Sequence, residues 1–212
     1  MGKVSKSIAR VSFALLCAAA LAAGPAKAKK PQKGHERTWT KEPDGFLGFK
    51  FGEPFPDSGT LPDCPKDGSH TDYSAVFKMS SMCFDGYGRS SYGTIWNTPK
   101  LGFGYEVNVM ISDGKPVTFV LATKPENFSQ LADVLIQRYG PPSQSKTGTV
   151  QNGAGATFDN QSLKWIGKKV TINAEMRSGT VDQSKVFISD RAYWDARQSE
   201  QDQAAKSGAD QL

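Results

Sequence analysis

One stretch of the chain combines aromatic side chains, glycines and an arginine within thirteen residues, from Phe84 to Trp96. Aromatic residues and arginine are enriched where proteins recognise other molecules, because they offer large contact areas and a bidentate donor. Tyr87, Arg89, Tyr92 and Trp96 are therefore predicted to bind a protein or a glycan. The alternative is a glycine-rich hairpin corner whose aromatic rings fold inward onto a sheet.

Motifs for catalysis are missing from the sequence. It contains no P-loop, no G-x-S-x-G, no H-E-x-x-H and no paired C-x-x-C. Ser69 and His70, with Asp67 or Asp72, could supply a nucleophile, a base and an orienting carboxylate, but neighbouring positions do not establish that geometry. We assign no catalytic residue, no cofactor and no metal site. The hypothesis that the protein is an enzyme is less favoured than a role in binding.

The first 28 residues have the pattern of a secretory signal peptide. Lys3, Lys6 and Arg10 precede an apolar run from residue 11 to 24, and Ala26-Lys27-Ala28 resembles a cleavage site. The apolar run is short for a bilayer span, and no later segment approaches one. Removing this leader would lower the formal net charge from +5 to about +1, because four basic and no acidic residues leave with it. A nearly neutral chain does not favour nucleic-acid binding.

The predicted export of the chain suggests that its remaining cysteines form a disulfide. With Cys17 in the predicted leader, Cys64 and Cys83 remain as an even pair in an oxidising compartment. We expect them to form a disulfide that stabilises the fold by about 3 kcal/mol. Free thiols or metal binding with His70 are the alternatives, but two distant cysteines and one histidine offer too few ligands for a typical zinc site.

The best-defined element is a helix over residues 125–139. Pro125 suits a first turn, and Phe128, Leu131, Leu135 and Tyr139, with Ala132 and Ile136 alongside, form an apolar stripe. Gly140 fits a left-handed residue at the helix end, and two prolines follow it.

Alternating apolar residues predict strands on both sides of this helix. Residues 103–111 and 117–121 form a hairpin about Asp113-Gly114, and residues 163–165, 170–176 and 186–188 are further strands. Tyr73, Ala75 and Phe77 also alternate, whereas the polar segment 143–155 is typical of a loop. A second helix is expected from Asp190.

This order of elements predicts an α+β fold, with the amphipathic helix packed on antiparallel strands and a helix at the C-terminus. The expected division is a signal peptide at 1–28, a flexible lead-in at 29–44, one domain at 45–197 and a polar tail at 198–212. Two sheet-bearing halves joined by the helix are an alternative arrangement of that domain.

Residues 123–189 resemble a known arrangement of elements. A helix is followed by Tyr139-Gly140-Pro141-Pro142, a polar segment, Trp165 and two later strands. In layout this segment resembles the helix-then-sheet modules of beta-lactamase-inhibitor-like proteins and of small outer-membrane assembly lipoproteins. The lipoprotein cysteine motif is absent, because Leu16 precedes Cys17. The resemblance implies an envelope binding module and transfers no functional residue.

These observations favour an exported protein of the bacterial envelope, periplasmic or secreted, that binds a protein or a glycan without catalysis. A secreted hydrolase whose site forms only in the fold, and a structural envelope component, are the alternatives.

Overall fold

The computed structural model describes residues 39–86 and 88–209, so the predicted signal peptide lies outside the described residues. Within those ranges no helix is long and apolar enough to cross a membrane. The helices are α1 (Tyr73–Val76), α2 (Phe128–Tyr139), which follows a 3-10 turn at Pro125–Asn127, and α3 (Arg191–Ala209). The strands are β1 (Gly45–Phe46), β2 (Phe49–Lys50), β3 (Lys66–Asp67), β4 (His70–Thr71), β5 (Cys83–Gly86), β6 (Tyr92–Trp96), β7 (Glu106–Ser112), β8 (Lys115–Thr123), β9 (Gln144–Gln151), β10 (Thr157–Ile166), β11 (Val170–Glu175) and β12 (Ser184–Asp190).

Eight of these strands form one antiparallel sheet in the order β5-β6-β7-β8-β12-β11-β10-β9. The predicted antiparallel α+β class is therefore confirmed. Strand β12 returns to pair with β8, placing Val186 opposite Leu121 and Ile188 opposite Phe119. Strands before and after α2 thus belong to a single sheet, and their alternating apolar residues share one face with the helix.

Helix α2 packs on that face with the predicted stripe. Phe128, Leu131, Leu135 and Tyr139 are buried, whereas Ile136 at the edge of the stripe is 39% exposed. Gly140 ends the helix with a φ of 81° and a ψ of −175°. The positive φ agrees with the prediction, but the ψ is extended instead of left-handed helical, a combination that is essentially restricted to glycine.

Two tryptophans complete the end of α2. The indole nitrogen of Trp39 donates to the carbonyl of Tyr139 at 2.6 Å, and that of Trp165 donates to the carbonyl of Gly140 at 2.8 Å. A helix end leaves carbonyl groups without helical partners. These indoles satisfy two of the carbonyls at that end and tie α2 to β10 and to the chain entering the domain.

The hairpin of β7 and β8 is confirmed. Its turn residues Asp113 and Gly114 have φ values of 51° and 70°, as a tight hairpin turn with two left-handed residues requires. Two other expectations were wrong. The polar segment 143–155 contains β9, which pairs with β10 along its whole length. Tyr73 and Ala75 lie in α1, because Asp72 caps a helical turn by accepting from the amide of Ala75 at 3.0 Å.

The disulfide between Cys64 and Cys83 is confirmed, and it encloses β3, β4 and α1 in a disulfide lobe (residues 64–83). Both cysteines are buried with Val76, and Met79 and Trp96 pack against them. This small second core holds the lobe against β5 and β6.

Glu42 fastens the chain that enters the domain to the β10–β11 turn. One carboxylate oxygen accepts from the amides of Lys169 at 2.6 Å and Val170 at 2.9 Å. Partial burial acts to raise the pKa of this carboxyl, but those amides outweigh it and hold the pKa below its usual value.

This lowered pKa predicts a pH-dependent contribution to stability. The contribution is present above the unfolded pKa of Glu42 and disappears as pH falls through the lower folded pKa. Replacing Glu42 by glutamine should lower the free energy of unfolding by about 1 kcal/mol near pH 6, and by much less near pH 3. Urea unfolding of both proteins at the two pH values measures this difference, and an equal loss at both would contradict it.

Candidate functional site

The four predicted binding residues have different surroundings. Tyr87 lies outside the described residues. The guanidinium of Arg89 donates to the carbonyls of Pro56 at 3.0 Å and Leu61 at 2.6 Å, contacts Asp63 at 2.6 Å and lies 5.0 Å from the ring centre of Phe84. Its donors therefore hold the segment before the disulfide lobe in place.

Tyr92 and Trp96 lie four residues apart on β6, so their side chains emerge on the same face. Ile95 between them is buried in the core. Tyr92 and Trp96 therefore point away from α2. We call this side of the eight-stranded sheet the open face.

Strand register shows which side chains share the open face. One row crosses six strands, and its members are Tyr92, Met110, Thr118, Ser189, Thr171 and Ile166. A neighbouring row begins at Thr94 and continues through Asn108, Val120, Phe187, Asn173 and Lys164. At about 4.8 Å between strands, these rows span roughly 24 Å.

Helix α3 contacts this face through Trp194. Asp190 caps its start by accepting from the amide of Ala192 at 3.0 Å, and none of its nineteen residues is buried. Trp194 leans over the sheet, and its indole nitrogen donates to the hydroxyl of Thr118 at 2.9 Å. Between this ring and the sheet lies a hollow of about 450 Å³ whose walls include Met110, Phe187 and Trp194.

Exposed apolar side chains concentrate on this side of the molecule. Among the described residues, seven large hydrophobic side chains are exposed, and Ile136 on α2 is the exception to their common location. Tyr92, Met110, Ile166 and Trp194 are on the open face or over it. Tyr73 and Phe77 of the disulfide lobe join them, because their rings contact Trp96 with ring centres 5.2 and 6.2 Å away.

Polar groups between the aromatic residues are ordered by hydrogen bonds. The hydroxyl of Thr94 donates to Asn108 at 2.8 Å, and the amide of Asn108 donates to Glu106 at 2.7 Å. Partial burial and the Glu106 carboxylate raise the pKa of Tyr92. Its phenol therefore stays neutral and can donate a hydrogen bond to a bound molecule.

The residues considered for catalysis lie on an exposed hairpin and on the cap of a short helix: Asp67 is the cross-strand neighbour of His70, and Asp72 caps α1. Ser69, His70 and Asp67 are all exposed on the disulfide lobe. Partial burial acts to raise the pKa of Asp85, but hydrogen bonds from Lys66 and Thr71 outweigh it and keep the pKa below its usual value. Asp85 is thus a carboxylate held in a structural ion pair. In the described ranges, no group of three or more His, Cys, Asp or Glu residues could hold a metal ion.

Sequence reasoning selected Tyr92 and Trp96, which lie on β6, but it did not predict that strand and it missed Met110, Phe187 and Trp194. The alternation along the strands could have identified two of them. Met110 on β7 and Phe187 on β12 are large apolar residues that alternate with the core residues, so they face the opposite side of the sheet. Comparison of the chain with protein-family models, with curated proteins and with solved structures gives no match.

Proposed function

We propose that the protein is an exported binding module of the bacterial envelope whose open face holds a folded protein partner without catalysis. The observation that carries this proposal is the concentration of exposed aromatic and apolar side chains on the one side of the sheet that α2 leaves uncovered. Such patches on a folded domain mark interaction sites.

Three features favour a protein as the partner. The face is roughly 24 Å wide, which suits the area of about 800 Å² that each side of a typical interface buries. Rigid aromatic residues at separate positions, Tyr92 and Trp194, can each fill a pocket of the partner. Charged residues of both signs, among them Glu106, Lys164 and Lys185, surround them as an interface rim does. A glycan is the other partner class, and the aromatic group of the disulfide lobe is where it would stack.

Crosslinking in the cells that make the protein identifies the partner. A photoreactive phenylalanine analogue at position 110, in the middle of the open face, should capture one envelope protein that mass spectrometry can name. The same analogue at position 136, equally exposed on α2, is the matched control and should capture none.

Binding of that purified partner then tests the surface by calorimetry. Tyr92→Ala and Trp194→Ala should each weaken binding by about thirtyfold or more, the loss expected at an interface hot spot. Ile136→Ala should leave the affinity unchanged. A partner captured equally at both positions, or one that binds all three variants like the parent chain, would overturn the proposal. If instead a polysaccharide binds the chain, and replacing Tyr73 or Phe77 by alanine weakens that binding to a similar extent, the partner is a glycan.

A further inference from the structure

The two edge strands of the eight-stranded sheet, β5 and β9, differ in whether another segment covers them. At the β5 edge, the amide of Phe84 donates to Pro62 and the amide of Cys64 donates to Phe84, both at 2.8 Å. A parallel bridge between Asp63 and Phe84 covers this edge. At the other edge, β9 pairs with β10 alone among the described strands, and seven of its eight residues are exposed.

Hydrogen bonds around β10 show which groups of β9 point outward. The amide of Ile166 donates to the Ser143 side chain on the β9 side, whereas the carbonyl of Gln161 accepts from Met176 on the β11 side. Antiparallel strands alternate in this way, so even-numbered residues of β10 bond to β9. The register matches them with even-numbered residues of β9, and the amide of Asn152 continues that pattern by donating to Ala156 at 3.0 Å.

The odd-numbered residues of β9, Ser145, Thr147, Thr149 and Gln151, therefore present their amides and carbonyls to the free edge. Proteins normally protect such an edge with proline, several charges, a bulge, a short strand or a covering segment. Strand β9 has eight residues, no proline and one charged residue, Lys146, and no described segment covers it. The edge is polar but open to another strand.

We propose that β9 pairs antiparallel with β9 of a second copy of this chain, about a two-fold axis at Gly148. This register places Thr147 opposite Thr149 of the second copy and Ser145 opposite Gln151 of the second copy. All four outward residues of one copy are then paired with the four outward residues of the other. Each of these four pairs is joined by two backbone hydrogen bonds. A shift by one such step would leave only three pairs.

Side chains agree with this register. Threonines placed opposite each other are a favourable cross-strand pair. The one charged residue, Lys146, falls opposite Val150 of the second copy, so like charges do not meet. Gly148 lies on the axis, where the close approach of a non-hydrogen-bonded pair meets no side chain. A two-fold pairing of identical strands is the simplest closed way to remove a free edge.

The dimer is expected to be weak, with a dissociation constant on the order of micromolar or higher, because a small interface leaves little surplus over the cost of association. Sedimentation velocity of the parent chain should show a rise from the monomer mass to twice that mass as concentration increases. Hydrogen exchange at the amides of Ser145, Thr147, Thr149 and Gln151 should slow over the same concentration range.

Thr147→Pro is the decisive variant, because proline removes an outward amide that has no partner among the described strands of its own copy. Proline is tolerated on an edge strand when its nitrogen faces solvent, so unfolding should change little while the dimer is lost. Thr147→Val keeps the amide and is the matched control, and it should still dimerise. Tyr92→Ala should also dimerise, which separates this proposal from the open-face proposal.

A parent chain that stays monomeric at high concentration, or a Thr147→Pro variant that dimerises like the parent, would overturn the inference. Protection of the β9 amides that appears only when a different protein is added would also overturn it, and would assign this edge to a strand of that protein.

Discussion

Replacing Phe119 by alanine should lower the free energy of unfolding by about 3–5 kcal/mol, the cost of truncating a large ring in a close-packed core. Phe119 lies in the middle of β8 and has no exposed surface. Its ring centre is 5.6 Å from that of Phe46, 6.1 Å from that of Phe49 and 5.8 Å from that of Phe51. The variant therefore opens a cavity and also removes the surface on which residues 46–51 are seated.

Urea unfolding followed by fluorescence measures the loss. Phe119→Leu restores part of the volume and should recover a large share of the stability, whereas Tyr92→Ala on the open face should change it by only about 0.5 kcal/mol. A loss below about 1 kcal/mol for Phe119→Ala would contradict the placement of this ring at the centre of the core.

Helices and strands that bury one face could be predicted from the sequence. The β7–β8 hairpin alternates because one face packs under α2, and the apolar stripe of α2 repeats at helical spacing for the same reason. The cysteine pairing could be predicted because the predicted signal peptide leaves two cysteines, which allow only one disulfide if the chain is exported. Burial and covalent chemistry both leave local signals.

Strand β9 left no such signal. Its residues are exposed on both faces, so no apolar side chain alternates, and its Gln, Ser, Thr and Gly residues are also those of a loop. Backbone pairing with β10 alone makes it a strand. Its edge is available because no described strand pairs with the outward backbone groups of β9. Unpaired backbone groups leave no side-chain pattern, so the sequence could predict neither the strand nor its free edge.

The candidate surface was readable only in part. The sequence drew attention to Tyr92 and Trp96 but predicted no strand there, and Met110 and Trp194 join them through strand pairing and helix position far along the chain. The alternative interpretation of the glycine-rich stretch also contains a correct element, because Phe84 is buried. Gly93 lets that ring approach, since a Cβ there would lie 2.3 Å from it.

The proposed function depends on the disulfide lobe keeping its place at one end of the open face. Trp96, the last residue of β6, packs against the buried core of the lobe, and its contacts with Tyr73 and Phe77 join the lobe's aromatic residues to the sheet. The lobe has only a four-residue helix and two two-residue strands of its own. Such short elements do not hold a fixed geometry without an anchor.

Removing the disulfide should therefore lower the free energy of unfolding by about 3 kcal/mol, since the two cysteines are 19 residues apart and close a loop of moderate length. Cys64 and Cys83 are both buried, so the paired variant Cys64→Ala with Cys83→Ala leaves no polar group unpaired. The parallel segment at residues 62–64 should loosen with it and expose the β5 edge.

Two measurements separate the global effect from the local one. Urea unfolding of the parent chain with and without a reductant, with complete reduction verified by mass, gives the stability difference. Limited proteolysis should then cut the reduced chain within residues 65–82 before any cut in α2 or β8. Equal stability and equal resistance to cleavage in both states would show that the small core around Val76 anchors the lobe without the disulfide, and the open face would then be independent of the redox state.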